Sequence, residues 1–292
     1  MNHNKNCLVC ESTNIQPLKG YYEETGLVKC KDCKLVFMER IPTDTELQDY
    51  YTHYSYTAEQ KLTQSTITSY GLLLDEFEAH RKTNKLLDIG CGRGFFLDEA
   101  KKRGWEVYGS EFADEAIELC RNKGLKMHQG KLTKDAFNHS DFDVITSFEV
   151  IEHINNPNEE VSIIQSLLRS SGLFYCTTPN FDSAMRLYLK SDYNVICYPE
   201  HLSYYTKSTL TKVCEQNGLK QSKFLSTGIS ISRLKNSKKD KKPETQRGAS
   251  EDEVLRESIS KKKHLQIAKK LVNSALTNTN TGISLKGYFI KK

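Results

Sequence analysis

Nowhere in the 292 residues is there a run of the roughly 18–20 apolar positions that a helix needs to cross a bilayer. The opening MNHNKNCLVC is polar and lacks the apolar centre of a secretory signal, so a cytoplasmic location is expected. Nine cysteines, an odd number in a chain without an export signal, argue against a disulfide framework. Internal repeats are absent, and so is a strong charge of either sign, the net charge being +5. Much of that excess lies near the C-terminus, in KNSKKDKKPETQR and SKKKH, which permits phosphate contact without marking a nucleic-acid binder. What remains is the composition of an ordinary globular protein, 27% charged and 10% aromatic. Its length suits one full α/β domain and a small appendage.

Residues 1–40 show no helical period and read as short strands joined by turns. They carry two knuckles, Cys7-x-x-Cys10 and Cys30-x-x-Cys33, separated by 19 residues. Four thiolates on two tight turns form a closed tetrahedral site, so a structural Zn2+ ribbon is expected over 1–40. A segment of that size builds too little core, and metal would supply much of its folding energy. The five remaining cysteines (Cys91, Cys120, Cys176, Cys197, Cys214) are scattered and read as buried thiols. Residues 41–83 follow as a linker, rich in tyrosine at Tyr50, Tyr51, Tyr54 and Tyr56, and then a helix over 58–82.

From residue 85 strands alternate with helices, the pattern of a parallel sheet covered on both faces. The strand KLL runs into Asp88-Ile-Gly90-Cys-Gly92-Arg-Gly94, and a helix begins at Phe95. Glycines there let the backbone turn sharply and approach a ligand with no Cβ in the way. Glu111 lies 23 residues after Asp88, at the end of the second strand, where a carboxylate can accept both hydroxyls of a ribose. The charged stretch 235–250 reads as a loop, a helix is expected over 251–277, and ISLKGYFIK closes the chain as a strand.

The alternating G-x-G-x-G, with an acid two residues before it, differs from the G-x-G-x-x-G of NAD-binding folds and resembles motif I of class I S-adenosylmethionine-dependent methyltransferases. The likeness covers about residues 84–292 and implies an α/β, Rossmann-like seven-stranded sheet with a basic loop and helix inserted at about 235–277. It implies S-adenosylmethionine held by Asp88 near the amino group, by Gly90, Gly92 and Gly94, and by Glu111 at the ribose. Phe112, Lys131, Leu132 and Phe148 would surround the adenine and the cofactor's side; where the family often has Asp, this chain has Lys131.

Methyl transfer from a sulfonium needs alignment, and a base helps when the nucleophile is a hydroxyl or an enolisable carbon. Two clusters offer such groups, Glu149-x-x-Glu152-His153 after the fourth strand and Tyr198-Pro199-Glu200-His201. His201 would be an imidazole base oriented by Glu200, and His153 either a second imidazole or a support for the next helix. The ribbon, the tyrosine-rich linker and these two clusters together are similar to bacterial deoxysugar C-methyltransferases. In those enzymes such residues line the substrate pocket, which implies catalytic roles for Tyr198, Glu200, His201 and His153 and a lid over 41–83. They continue into a further C-terminal α/β domain, and this chain ends after its seventh strand.

The reading that follows is methylation, at O or C, of a sugar or glycan in cell-surface polysaccharide or secondary-metabolite synthesis. FEVIEH and TTPN also resemble quinol O-methyltransferases of respiratory-lipid synthesis, for which the basic loop 235–247 would be a peripheral membrane contact. A zinc-ribbon nucleic-acid-binding or RNA-modifying protein is the third reading. The N/D-P-P-Y-type tetrapeptide of amino-group methyltransferases is missing, FEVI standing in its place, so a small-molecule or glycan acceptor is expected and nucleic acid is not.

Overall fold

The computed structural model describes residues 3–43, 45–47, 62–230, 258–259 and 262–292. The four linker tyrosines and the charged stretch 235–250 lie outside the described residues.

Strands β1 (Ile15–Pro17), β2 (Leu27–Cys30) and β3 (Val36–Met38) make an antiparallel meander, with one helical turn at Tyr22–Thr25. After the helix Gln64–Phe77 the chain builds β4 (Lys85–Ile89), β5 (Glu106–Glu111), β6 (Lys126–Gln129), β7 (Phe142–Phe148) and β8 (Leu168–Pro179). A two-residue strand, β9 (Ser203–Tyr204), precedes the helix Lys207–Gln216; β10 (Leu219–Thr227), the helix Lys263–Thr279 and β11 (Ser284–Lys291) complete the chain. The main sheet has seven strands in the order β10-β11-β8-β7-β4-β5-β6. Five of them run parallel, and β11 is antiparallel to both its neighbours. This is the expected seven-stranded Rossmann-like sheet.

Local chemistry explains the boundaries. The central strand β7 is buried from Phe142 to Ser147, as a sheet covered on both faces requires. The helices beside it turn apolar stripes inward: Phe96, Leu97 and Ala100 on one, Ala116, Ile117 and Cys120 on the next. Asn156 caps the helix Pro157–Leu167, accepting from the Glu159 N–H with proline at its first position. Leu74 and Phe77 anchor Gln64–Phe77 in the core, which makes this part of the linker region a fixed wall.

The cysteine-bearing meander is fused to the sheet. Val9, Val28, Leu35 and Phe37 share one apolar cluster with Phe142, Ile145, Val161 and Ile164. The Asn158 side chain donates to the carbonyls of Leu8 and Val9 at 3.1 and 2.9 Å, and Gln216 donates to Val9 at 2.7 Å. The outer edge of β3 pairs with β9, so a segment from beyond residue 200 becomes the fourth strand of the N-terminal sheet. Because Phe37 is fully buried in this joint, Phe37→Ala is expected to cost about 3–5 kcal/mol in denaturant unfolding. A loss below about 1 kcal/mol would show that the meander and the sheet do not share a core.

Candidate active site

The glycine loop links β4 to the helix Phe95–Lys102 at the C-terminal edge of the sheet, where ligands of open α/β folds bind. Gly90, Gly92 and Gly94 all have left-handed φ, at 64, 51 and 70°. Any side chain there is strained, and a Cβ on Gly90 would meet Val150 Cγ2 at 2.6 Å. The loop therefore closes tightly against the turn that follows β7.

Two acids flank the loop in opposite surroundings. Asp88 is buried at the end of β4, where it accepts a hydrogen bond from Thr146 Oγ1 at 2.7 Å. Burial pushes its carboxyl up to about 7 against that hydrogen bond, and the Glu111 charge adds to the rise. Glu111 sits half-buried at the tip of β5, its carboxylate accepting from the N–H of Gly92 at 2.9 Å, Phe112 at 2.7 Å and Ala113 at 3.3 Å. The Phe112 ring beside it is 71% exposed, a large apolar surface open to a planar partner. Phe148 packs edge-on to Phe96 at 5.0 Å, and Tyr70 from the helix Gln64–Phe77 joins them. Burial and the nearby Asp88 charge push the Tyr70 phenol up to about 12, so it stays neutral. Leu132 is buried, and exposed Lys131 pairs with Glu159 at 2.7 Å. A buried acid, an edge acid on a glycine turn and an exposed ring fit, respectively, the ammonium, ribose and adenine of the cofactor expected from the sequence.

The second cluster lies just beyond β7. A 3-10 turn over Ile151–His153 places Glu152 and His153 beside the segment that holds Glu200 and His201. The two imidazole rings stand 4.8 Å apart at 66°. His153 donates from Nδ1 to the Glu200 carbonyl and His201 from Nδ1 to the Val195 carbonyl, both at 2.6 Å. Each neutral ring then carries its lone pair on Nε2. Sequence reasoning pairs His201 with the Glu200 carboxylate. The His201 ring is tied by the Val195 carbonyl, and the carboxylate of Glu152, 1% exposed, lies within 4.8 Å of both imidazoles. Thr178 Oγ1 donates to Glu152 at 2.9 Å. Tyr198 stands at the outer end, donating to Glu46 at 3.3 Å under the Arg40 guanidinium. Glu149, in a left-handed conformation at φ 53°, accepts from Ser284 Oγ at 3.4 Å.

The four N-terminal thiols also converge. Cys7 and Cys33 sulfurs are 3.3 Å apart, Cys10 and Cys30 3.5 Å, and all four lie within 4.8 Å of one another. Sulfurs about 2.3 Å from a common ion stand roughly 3.8 Å apart, so the set fits a tetrahedral zinc. None of the nine cysteines is in a disulfide.

The profile of a family described as a methyltransferase domain matches residues 61–222, more than half of the chain. Two curated ubiquinone biosynthesis O-methyltransferases align with it. That of Ruegeria sp. (strain TM1040) is 32% identical over 117 residues, 36% of this chain and 47% of the relative. That of Aromatoleum aromaticum is 28% identical over 154 residues, 48% of this chain and 66% of the relative. The chain thus spans about half to two thirds of the length of these relatives. A SAM-dependent methyltransferase from Archaeoglobus fulgidus superposes with a TM-score of 0.51 at 19% identity, covering 77% of this chain and 93% of its own. The PH0226 protein from Pyrococcus horikoshii superposes at 0.51 and 15% identity, covering 84% and 99%. The protein belongs to the class I S-adenosylmethionine-dependent methyltransferases.

Proposed function

We propose that this methyltransferase acts on a hydroxyl or an acidic carbon of a sugar-type small molecule, with His201 and His153 handling the proton. The observation that carries the reading is the pair of imidazoles beyond β7, each with Nδ1 fixed to a backbone carbonyl. Such a pair presents Nε2 lone pairs that can take up a proton, which N-methylation of a free amine would not demand. The sugar class rests on the likeness of the cysteine ribbon and Tyr198-Pro199-Glu200-His201 to deoxysugar enzymes. Quinol-type O-methylation is a second reading, favoured by the names of the two curated relatives.

S-adenosylmethionine, when bound, supplies an electrophilic methyl carbon on sulfur. Asp88 would face its ammonium, Glu111 its ribose hydroxyls, and Phe112 and Leu132 its adenine, with Gly90, Gly92 and Gly94 shaping the turn beneath. Lys131 and Phe148 would border the same cleft. On the acceptor side His201 Nε2 would take the proton that the methylated hydroxyl or carbon gives up. The Glu152 carboxylate stabilises the imidazolium, and Tyr198 with Glu200 shapes the pocket. Residues 1–40 act as the structural zinc ribbon, held by Cys7, Cys10, Cys30 and Cys33; 41–83 link it to the catalytic domain of 84–292.

Calorimetry tests the cofactor side. Glu111→Ala should abolish measurable binding of S-adenosylmethionine. For the unsubstituted protein, affinity should fall by up to about tenfold per unit as pH drops below 7, because a protonated Asp88 cannot pair with an ammonium. Affinity that is flat from pH 8 to pH 5 would remove Asp88 from this role. His201→Ala should keep cofactor affinity and lower turnover by about 10²–10⁴-fold. Assays with nucleotide-linked keto-sugars and with catechols separate the two acceptors, and full activity of His201→Ala on the accepted one would defeat the base assignment.

A further inference from the structure

The helix Lys263–Thr279 is built inside out. Its Asn273 side chain accepts from the Gly228 N–H at 3.0 Å, and Thr277 Oγ1 exchanges hydrogen bonds with the Ser226 backbone at 3.0 and 3.2 Å. Polar groups thus fasten it to β10, with Leu265 and Leu276 only half-buried beside them, and none of its seventeen residues is buried. Ile267, Leu271 and Ala275 follow one another at four-residue spacing on the outward side, with Ala268 and Val272 alongside. Ile267 is 60% exposed, Leu271 68% and Val272 44%, and Ile229, next to the Gly228 contact, is also exposed. Lys263 and Lys270 are exposed along one border of this stripe, and residues 262–279 contain no Asp or Glu.

We infer that this helix lies on the surface of an anionic lipid bilayer, its apolar stripe in the headgroup boundary and its lysines against lipid phosphates. An outward apolar stripe bordered by cations, on a helix without acids, has the makeup of an interfacial helix. Charge decides between the occupants. A second copy of the same face would set lysines against lysines, whereas an anionic surface complements every one of them. The placement also suits such a surface. The C-terminal end of the helix meets the loop after β8, where the Ala184 N–H donates to Thr281 and Asn180 to the Asn280 and Gly282 carbonyls. That loop and Ser284, the partner of Glu149, lie at the edge of the sheet that carries the candidate active site. Among the described residues no helix is long and apolar enough to cross a membrane, so contact through this helix would be peripheral.

Cosedimentation of the full chain with vesicles tests the inference. Binding is expected to phosphatidylcholine vesicles containing phosphatidylglycerol, to be weak on phosphatidylcholine alone, and to fall as salt rises. Ile267→Ser with Leu271→Ser, and separately Lys263→Glu with Lys270→Glu, should each weaken it about tenfold or more. Both variants should melt as the unsubstituted protein does, because the replaced side chains are exposed. No binding to the anionic vesicles, or equal binding by all three proteins, would overturn the assignment. So would a dimer in solution that Ile267→Ser with Leu271→Ser converts to monomer, since the face would then belong to a second copy.

Discussion

Two backbone hydrogen bonds through one residue hold the molecule's working parts in register. The Leu202 carbonyl accepts from the Met38 N–H of β3 at 2.9 Å, and the Leu202 N–H donates to the Glu152 carbonyl at 2.8 Å. Phe37 pairs with Ser203 and Val36 with Tyr204 on the same short ladder. The cysteine meander, the histidine after β7 and the histidine before β9 are therefore joined by main chain. A strand of two residues has little stability of its own. It persists because Tyr204 is buried against Leu27, Val36 and Met38 of a meander whose Val28 and Phe37 share the sheet's core. The ribbon therefore works inward, its edge strand holding the segment that carries Glu200 and His201.

The two acids of the glycine loop sit in opposite surroundings on one sheet edge. Asp88 is buried with a hydroxyl donor, and with its carboxyl pushed up to about 7 it is only partly ionised at pH 7. That raised value also works against stability: the neutral form favoured by the fold is fully present below the usual carboxylate range and is lost as pH rises through 7. Glu111 faces outward and is held by three backbone N–H groups, which fix its oxygens at the tip of β5. Both arrangements follow from strand ends, one interior and one at the rim.

Much of this is legible in the chain. The alternation of strands and helices follows from periodicity, and the left-handed φ at Gly90, Gly92 and Gly94 explains why glycine recurs at alternate positions. Both histidines of the imidazole pair stand out by their acidic neighbours. Their geometry does not, because contacts such as Val195 to His201 and Glu152 to the two rings depend on how a loop folds back. Thr146 and Thr178 look like filler in buried strands; only the structure shows them donating to Asp88 and Glu152. The His139 ring packs 4.8 Å from Tyr108, a contact that nothing in the neighbouring sequence signals. Pairing of β3 with β9 has no local signal at all, since 165 or more residues separate the partners and Ser-Tyr is too short to show a period.

Amide hydrogen exchange compared between the unsubstituted protein and Cys30→Ser with Cys33→Ser reveals whether the cysteine meander holds the segment that carries His201. Loss of protection at Leu202–Tyr204 together with β2 and β3, with β4, β5 and β7 still protected, is the expected result. Unchanged protection at Leu202–Tyr204 after the ribbon has opened would contradict it.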